Sequence, residues 1–286
     1  MMGKILNGRE LAARLNSELK NKINLDYQRT GIRPKLAAIL VGDDPASKLY
    51  VDIKRKTCAE IGIDSTLVNF NSEVTNAELL TKISELNNDT TVHGIILQLP
   101  LPVKFKPFTL EFIEKIDPFK DVDGLHPINK GKLFDYIEEI VPATPKGIIT
   151  LLEYYNIELK GKHVVIINRS SLVGKPLIFM FLKRNATVTI CHTSTSDLEG
   201  HIKKADILIV AIGQPDFITK DKIKEGVVII DVGTSRVNGK TRGDVKFEDV
   251  FDVCSWITPN PGGVGPMTVS FLLQNTYNAY KRQIKE

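Results

Sequence analysis

The chain of 286 residues is 42% hydrophobic and 25% charged, with a formal net charge of +4. This is ordinary globular composition with length enough for two domains, and it excludes a fibrous or low-complexity chain. The basic residues are spread out, with Lys54, Arg55 and Lys56 the densest short cluster, so the clustering that a nucleic-acid groove or membrane patch needs is missing.

The opening segment MMGKILNGRELAARLNSEL reaches charged residues too soon for a signal peptide, and Leu11, Leu15, Leu19 and Ile23 are spaced as one face of an amphipathic helix. Short apolar runs follow at Lys35–Val41, Ser65–Phe70 and Gly94–Leu99, separated by helix-like patterns, and predict buried parallel strands in βαβ units. Between the first two runs, Asp44 is placed to cap a helix that starts at Pro45 and ends at Gly62. Tyr50 and Lys54 then lie four residues apart on one face. Spacing alone favours an exposed lysine on an amphipathic helix. A catalytic lysine needs more, because at a reference pKa near 10.4 only about one in 2,500 is neutral at pH 7. Lowering that pKa by about two units costs about 2.7 kcal/mol and raises the neutral fraction roughly a hundredfold.

Gln98 closes the third run, before Leu99-Pro100-Leu101-Pro102, at the carboxyl end where ligands of open α/β sheets gather. A glutamine capping a loop fits as well. The segment KDVDGLHPIN, Lys120–Asn129, is dense in turn formers, and its Asp121 and Asp123 suit either a guanidine-like ligand edge or the capping of turns. A helix is expected after it in TPKGIITLLEYYN, with Thr144 as cap and Pro145 in the first turn.

From Lys162 the alternation resumes, with strands expected at His163–Ile167, Thr187–Cys191, Ile207–Ile212 and Val227–Val232 and a helix over Val173–Lys183. This is the rhythm of a doubly wound nucleotide-binding sheet. Between the first strand and its helix lies NRSSLVGKP, Asn168–Pro176. It is a helix N-terminus after a buried strand and so suited to phosphate, though with Gly174 alone it lacks a GxGxxG fingerprint. The next strand ends Cys191-His192-Thr193, with no carboxylate until Asp197 and with Arg169 nearby for a 2′-phosphate, which favours NADP over NAD. The loop TPNPGGVGPMT, Thr258–Thr268, reads either as a rigid turn or as backbone pressed against a flat ligand, with Thr268 available to cap the final helix, Met267–Arg282. Cys58, Cys191 and Cys254 are an odd, widely spaced set that suits a reducing compartment, the cytosol, and five histidines without a His-x-x-x-His pair give no support to a metal site.

Taken in order, KLYVDIK, ILQLPLP, KDVDGLHPIN, PATPKG, NRSSLVGKP, ATVTICH, GDV and TPNPGGVGPMT resemble the bifunctional methylenetetrahydrofolate dehydrogenase/cyclohydrolase family over nearly the whole chain. The resemblance implies an α/β fold of two domains with a cleft between them. One is an N-terminal folate-site domain, residues 1–143, with the terminal helix 267–286 packed back on it; the other is a Rossmann-type NADP domain, residues 144–266. It implies a homodimer, NADP as cofactor, tetrahydrofolate derivatives as substrates, and a supply of one-carbon units to purine biosynthesis. Position by position, Lys54 resembles the catalytic lysine of the hydrolytic step, Tyr50 the tyrosine that stacks near the pterin, Gln98 the partner of the lysine, and Asp123 the aspartate that grips the pterin edge. Asn168, Arg169, Ser170, Val173, Gly174 and Thr193 fall in the cofactor-phosphate region, and Pro261, Gly262 and Gly263 in the loop lining the folate and nicotinamide. Three positions depart from the family pattern, one of them Ala143, where cysteine is common and the change is expected to matter little. Asn168 stands where glycine is usual, and the tolerance of asparagine for positive φ is expected to keep the turn. Asn260 replaces a residue that is usually aliphatic. A dehydrogenase without hydrolytic activity, a shikimate dehydrogenase-like enzyme of similar two-domain build, and a nucleotide-binding regulator without catalysis are the alternative readings.

Overall fold

The computed structural model describes residues 3–237 and 239–284; the last two positions of the expected terminal helix, 285 and 286, lie outside the described residues. In chain order the first half forms β1 (Lys4–Ile5), α1 (Gly8–Thr30), β2 (Lys35–Val41), α2 (Pro45–Ile61), β3 (Asp64–Phe70), α3 (Asn76–Asn88), β4 (Gly94–Leu97), a 3-10 turn, α4 (Thr109–Lys115) and α5 (Pro127–Phe134). The second half forms α6 (Ala143–Tyr154), β5 (His163–Ile167), α7 (Gly174–Leu182), β6 (Thr187–Cys191), α8 (Leu198–Lys203), β7 (Ile207–Val210) and β8 (Val228–Asp231). A hairpin of β9 (Ser235–Val237) and β10 (Lys240–Arg242) follows, then α9 (Phe247–Val250), β11 (Trp256–Ile257) and α10 (Val264–Gln283).

Two compact α/β units result. One holds Arg14–Lys132, Glu138–Val141 and Val269–Glu286, and the other Met1–Ala13, Leu133–Ile137 and Pro142–Thr268. In the former, a parallel sheet of order β3-β2-β4 packs Ala37, Ile39 and Val41 against Leu79, Ile83 and Leu86 of α3. Here α10 sends Tyr277 to Asp26 (2.7 Å) and Asn275 to the carbonyls of Val122 and Val141 (both 2.9 Å). In the latter, a sheet of order β1-β11-β8-β7-β5-β6, all its pairings parallel, buries near-continuous Val/Ile/Leu runs. Residues 1–13 fall in this unit rather than with the first domain because β1 pairs with β11.

Two helices begin earlier than their sequences suggest, for one reason. α6 starts at Ala143 behind Pro142, and α10 at Val264, which puts Pro145 and Pro266 at the third helical position. A proline there forfeits nothing, because the first-turn N–H groups have no partner inside the helix. Thr144, the second residue of α6, and Thr268, the fifth of α10, therefore lie within their helices and cap neither; their hydroxyls bond one another at 2.9 Å. β4 likewise ends at Leu97, two residues short of the apolar run. Among the described residues no helix is long and apolar enough to cross a membrane, and no group of three or more His, Cys, Asp or Glu could hold a metal ion.

Candidate active site and cofactor edge

α2 has the caps its sequence suggests. Asp44 accepts a hydrogen bond from the Ser47 amide (2.8 Å), Pro45 opens the first turn, and Gly62 closes the helix at φ 86°. Ser47, Val51, Lys54, Cys58 and Ile61 form its buried stripe, so Lys54 is drawn inward and is only 9% exposed. Its ammonium donates to Gln98 Oε1 at 2.9 Å. Gln98 is fixed in turn, its backbone N–H donating to Ile39 O (2.9 Å) and its side chain to Leu99 O (2.6 Å). The carboxyl end of β4 thus supplies the lysine's partner. Tyr50, one turn before Lys54, is 39% exposed, and its hydroxyl makes no hydrogen bond to Lys54.

The segment after α4 completes this group. Ile95 donates its N–H to Lys120 O (2.7 Å), and residue 121 bridges to β4, which lays the segment along the sheet edge. That approach is possible because β4 begins at Gly94, where a Cβ would stand 2.6 Å from Val122. Asp121 is a turn former: it accepts from the amides of Leu125 (3.2 Å) and His126 (2.8 Å) and from Asn129 (2.8 Å). Lys120 caps the C-terminus of α3 through the carbonyls of Leu86, Asn87 and Asp89. With its neighbours so engaged, Asp123 is left beside Lys54 with no hydrogen bond to its carboxyl among the described residues. Burial pushes the Asp123 carboxyl above the usual carboxylate range, with Lys54 opposing and Asp121 adding. Burial likewise holds Lys54 below the ordinary lysine range, against the pull of Asp123 and then Cys58. A lysine of lowered pKa, pinned by an amide oxygen beside a carboxyl, gives up and takes back a proton more readily than an ordinary lysine.

The other predicted positions lie in the other unit, at the carboxyl ends of its parallel strands. Asn168 follows β5, but its backbone is not at positive φ, which corrects the reason expected for its tolerance. Its side chain holds the loop instead: Oδ1 accepts from the amides of Ser170 (2.8 Å) and Gly174 (3.0 Å), and Nδ2 donates to Ala211 O (2.5 Å). Gly174 is needed because a Cβ there would collide with the Asn168 carbonyl. Ser170 Oγ accepts from Val173 N (3.1 Å), so Val173 is a turn residue ahead of α7. Arg169 is exposed, with no ion-pair partner among the described residues. Thr193 is exposed beyond β6, which is adjacent to β5 in register Ile167↔Cys191. Asp197, the first carboxylate after β6, caps α8 through Gly200 N (3.1 Å). An unpaired guanidinium, a free hydroxyl and no competing carboxylate suit a phosphorylated ribose.

In the glycine-rich loop, the Asn260–Pro261 bond is cis, Gly262 has φ 114°, and Gly262 O accepts from Arg9 N (2.8 Å). Asn260 donates to Gly233 O, tying this loop to the end of β8. The sequence reading missed three residues. Ser47 is buried on the Lys54 stripe with its hydroxyl unpartnered among the described residues, and its seven-residue spacing from Lys54 was the available signal. Asp231 and Asp244, the latter in the GDV motif, form a buried carboxylate pair whose role only the fold reveals. Burial, reinforced by Asp244, pushes Asp231 up to about 7 against three backbone N–H donors.

Two family models match the chain. The catalytic-domain model of tetrahydrofolate dehydrogenase/cyclohydrolase matches residues 6–123, and the NAD(P)-binding-domain model of the same family matches residues 142–284. The bifunctional protein FolD of Sulfurihydrogenibium sp. is 50% identical over 284 residues, covering 99% of both chains. The crystal structure of the bifunctional FolD enzyme of Campylobacter jejuni superposes with a TM-score of 0.93 at 46% identity, covering 98% of this chain and 99% of that one. That of the Trypanosoma brucei dehydrogenase-cyclohydrolase, complexed with NADP cofactor and inhibitor, gives 0.95 at 35% identity over the full length of both. This chain belongs to the tetrahydrofolate dehydrogenase/cyclohydrolase family.

Proposed function

We propose that the protein oxidises 5,10-methylenetetrahydrofolate with NADP and hydrolyses the resulting 5,10-methenyltetrahydrofolate to 10-formyltetrahydrofolate. Family membership supports both activities. The observation that carries the hydrolytic one is the buried Lys54–Gln98 hydrogen bond beside Asp123. The folate is assigned to the unit containing β2–β4 and the cofactor to the unit containing β5–β8.

In this reading NADP, when bound, supplies the hydride acceptor. Arg169 and Thr193 would hold its phosphates, with Ser170, Val173 and Gly174 shaping the loop on which Arg169 stands. Asp123 accepts hydrogen bonds from the amino-pyrimidine edge of the pterin, Tyr50 offers its partly exposed ring for stacking, and Pro261, Gly262 and Gly263 present backbone to the folate. Loss of hydride from the methylene carbon needs no protein acid or base, because an adjacent nitrogen lone pair stabilises the cation. The protein contributes alignment of the reacting atoms. In the second step water adds to the methenyl carbon. Neutral Lys54 takes one of its two protons and returns it to the nitrogen that leaves as the ring opens, the other is released to solvent from the carbinol hydroxyl as the formyl C=O forms, and Gln98 keeps the amine in place.

Family membership also supports a homodimer, testable by sedimentation, and the buried free cysteines suit work in the cytosol. The product would serve purine biosynthesis. The decisive assay incubates purified protein with 5,10-methylenetetrahydrofolate and either NADP or NAD, following reduced nicotinamide and methenyl product together. Reduction with NADP and little methenyl accumulation is expected. Persistent methenyl accumulation removes the hydrolytic assignment of Lys54, and no reduction with either cofactor removes the enzyme reading altogether.

A further inference from the structure

The loop between β5 and α7 is held by a side chain from within. Asn168 Oδ1 accepts the N–H groups of Ser170 and Gly174, and these are donors that a loop and helix N-terminus would otherwise turn toward an anion. Asn168 Nδ2 donates to Ala211 O, beyond the neighbouring strand β7. From there the ties continue along the carboxyl ends of the sheet. The amides of Ile212 (2.6 Å) and Gly213 (3.1 Å) donate to Asp244 Oδ2. The amides of Asp244 (2.9 Å) and Gly233 (3.1 Å) donate to Asp231 Oδ1, and Asn260 donates to Gly233 O. The loops after β5, β7, β8 and β11 are thereby joined in one series by side chain-to-backbone bonds. The two asparagines that depart from the family pattern stand at its two ends.

We propose that Asn168 is a positioning residue for the dinucleotide: its side-chain amide fixes the β5–α7 loop before the cofactor arrives, and binding of the anion falls to Arg169 and the hydroxyls of Ser170 and Thr193. This rests on the assignment of NADP to the β5–β8 unit. Asn168 Oδ1 takes the place at the Ser170 and Gly174 amides that a phosphate oxygen would take, so Asn168 acts through the loop rather than by touching the cofactor. A loop ordered in advance does not have to be ordered on binding. Because the loop serves the part of the cofactor common to NADP and NAD, Asn168 sets the affinity for both, whereas Arg169 sets the preference between them.

The test compares Asn168→Gly with Arg169→Ala by titration calorimetry with NADP and with NAD, and by hydrogen exchange of the Ser170 and Gly174 amides without cofactor. Asn168→Gly removes three hydrogen bonds, and roughly tenfold weaker binding of both cofactors is expected. Its Ser170 and Gly174 amides should exchange fast where the parent chain protects them, and its KM for NADP should rise by a larger factor than its kcat falls. Arg169→Ala should weaken NADP alone. Unchanged or tighter binding of both cofactors by Asn168→Gly, with tight binding by the parent, overturns the inference and leaves the functional reading standing. So does a loss confined to NADP. Failure of the parent chain to bind either cofactor overturns both.

Discussion

At the scale of single residues, the proposed hydrolysis rests on Lys54, which is buried and bonded to Gln98. Lys54→Met should lower hydrolysis of supplied 5,10-methenyltetrahydrofolate at least about 100-fold while hydride transfer stays within roughly tenfold. Stopped-flow assays of the two steps separate them, and an equal loss in a folded variant would remove the assigned role. If the base is the neutral amine, then, because burial lowers its pKa, hydrolysis should rise with pH and level off below the range of an ordinary lysine, near 10.4. His93 gives a separate signature. It is buried edge-on against Tyr280, its Nδ1 accepting from Lys35 N (3.1 Å), and burial, then Lys120 and Lys35, lower its pKa to about 4. An unfolded histidine titrates near 6.5. The unfolded chain therefore binds the extra proton first, and the stability His93 confers is full above about 6.5 and lost as pH falls toward 4. Thermal melts of the parent should fall more steeply between pH 6.5 and 4 than those of His93→Gln; parallel slopes would refute this.

At the scale of elements, α2 places Lys54 because its ends are fixed. Asp44→Ala removes the N-cap bond to Ser47 and should cost about 1 kcal/mol in urea unfolding, with an unchanged m-value. A loss within error would mean that packing of the 47-51-54-58-61 stripe alone holds the helix. The hydrogen bonds to Asp44 hold its carboxyl below the usual range, so the cap is present near neutrality and fades only in acid. The 120–129 segment shows how an element is specified by several residues at once. Lys120 closes α3, Asp121 forms the turn, and Gly94 admits Val122, leaving Asp123 free beside Lys54.

At the scale of the whole molecule, two parallel sheets divide the candidate residues, with Lys54, Gln98 and Asp123 in one unit and Arg169, Thr193 and the glycine-rich loop in the other. If the cofactor belongs to the β5–β8 unit, NADP at a hundred times its Kd should stabilise the native state by about 2.7 kcal/mol. Its added hydrogen-exchange protection should concentrate in the loops after β5 and β6, and that of a folate analogue around α2, β4 and residues 120–124. Protection by NADP centred on α2 would overturn the domain assignment.

By itself the sequence determined β2 to β8 to within a few residues, though not the short β1, β9, β10 and β11, together with the α2 caps, the parallel βαβ rhythm and the absence of a carboxylate at the end of β6, because local patterning and turn chemistry act over a few residues. It also carried the family through the order of its motifs. It could not decide what Asn168 does, since that depends on Ala211, which lies 43 residues away in sequence and is brought near only when β7 pairs with β5. Nor could it separate Asp121 from Asp123, two residues apart and alike in composition. Only the docking of their segment against β4 engages one carboxyl in a turn and leaves the other beside Lys54. The Asp231–Asp244 pair and the inward turn of Lys54 toward Gln98 likewise join distant positions. Burial and long-range hydrogen bonding set the ionisation of such groups, and both exist only in the tertiary structure.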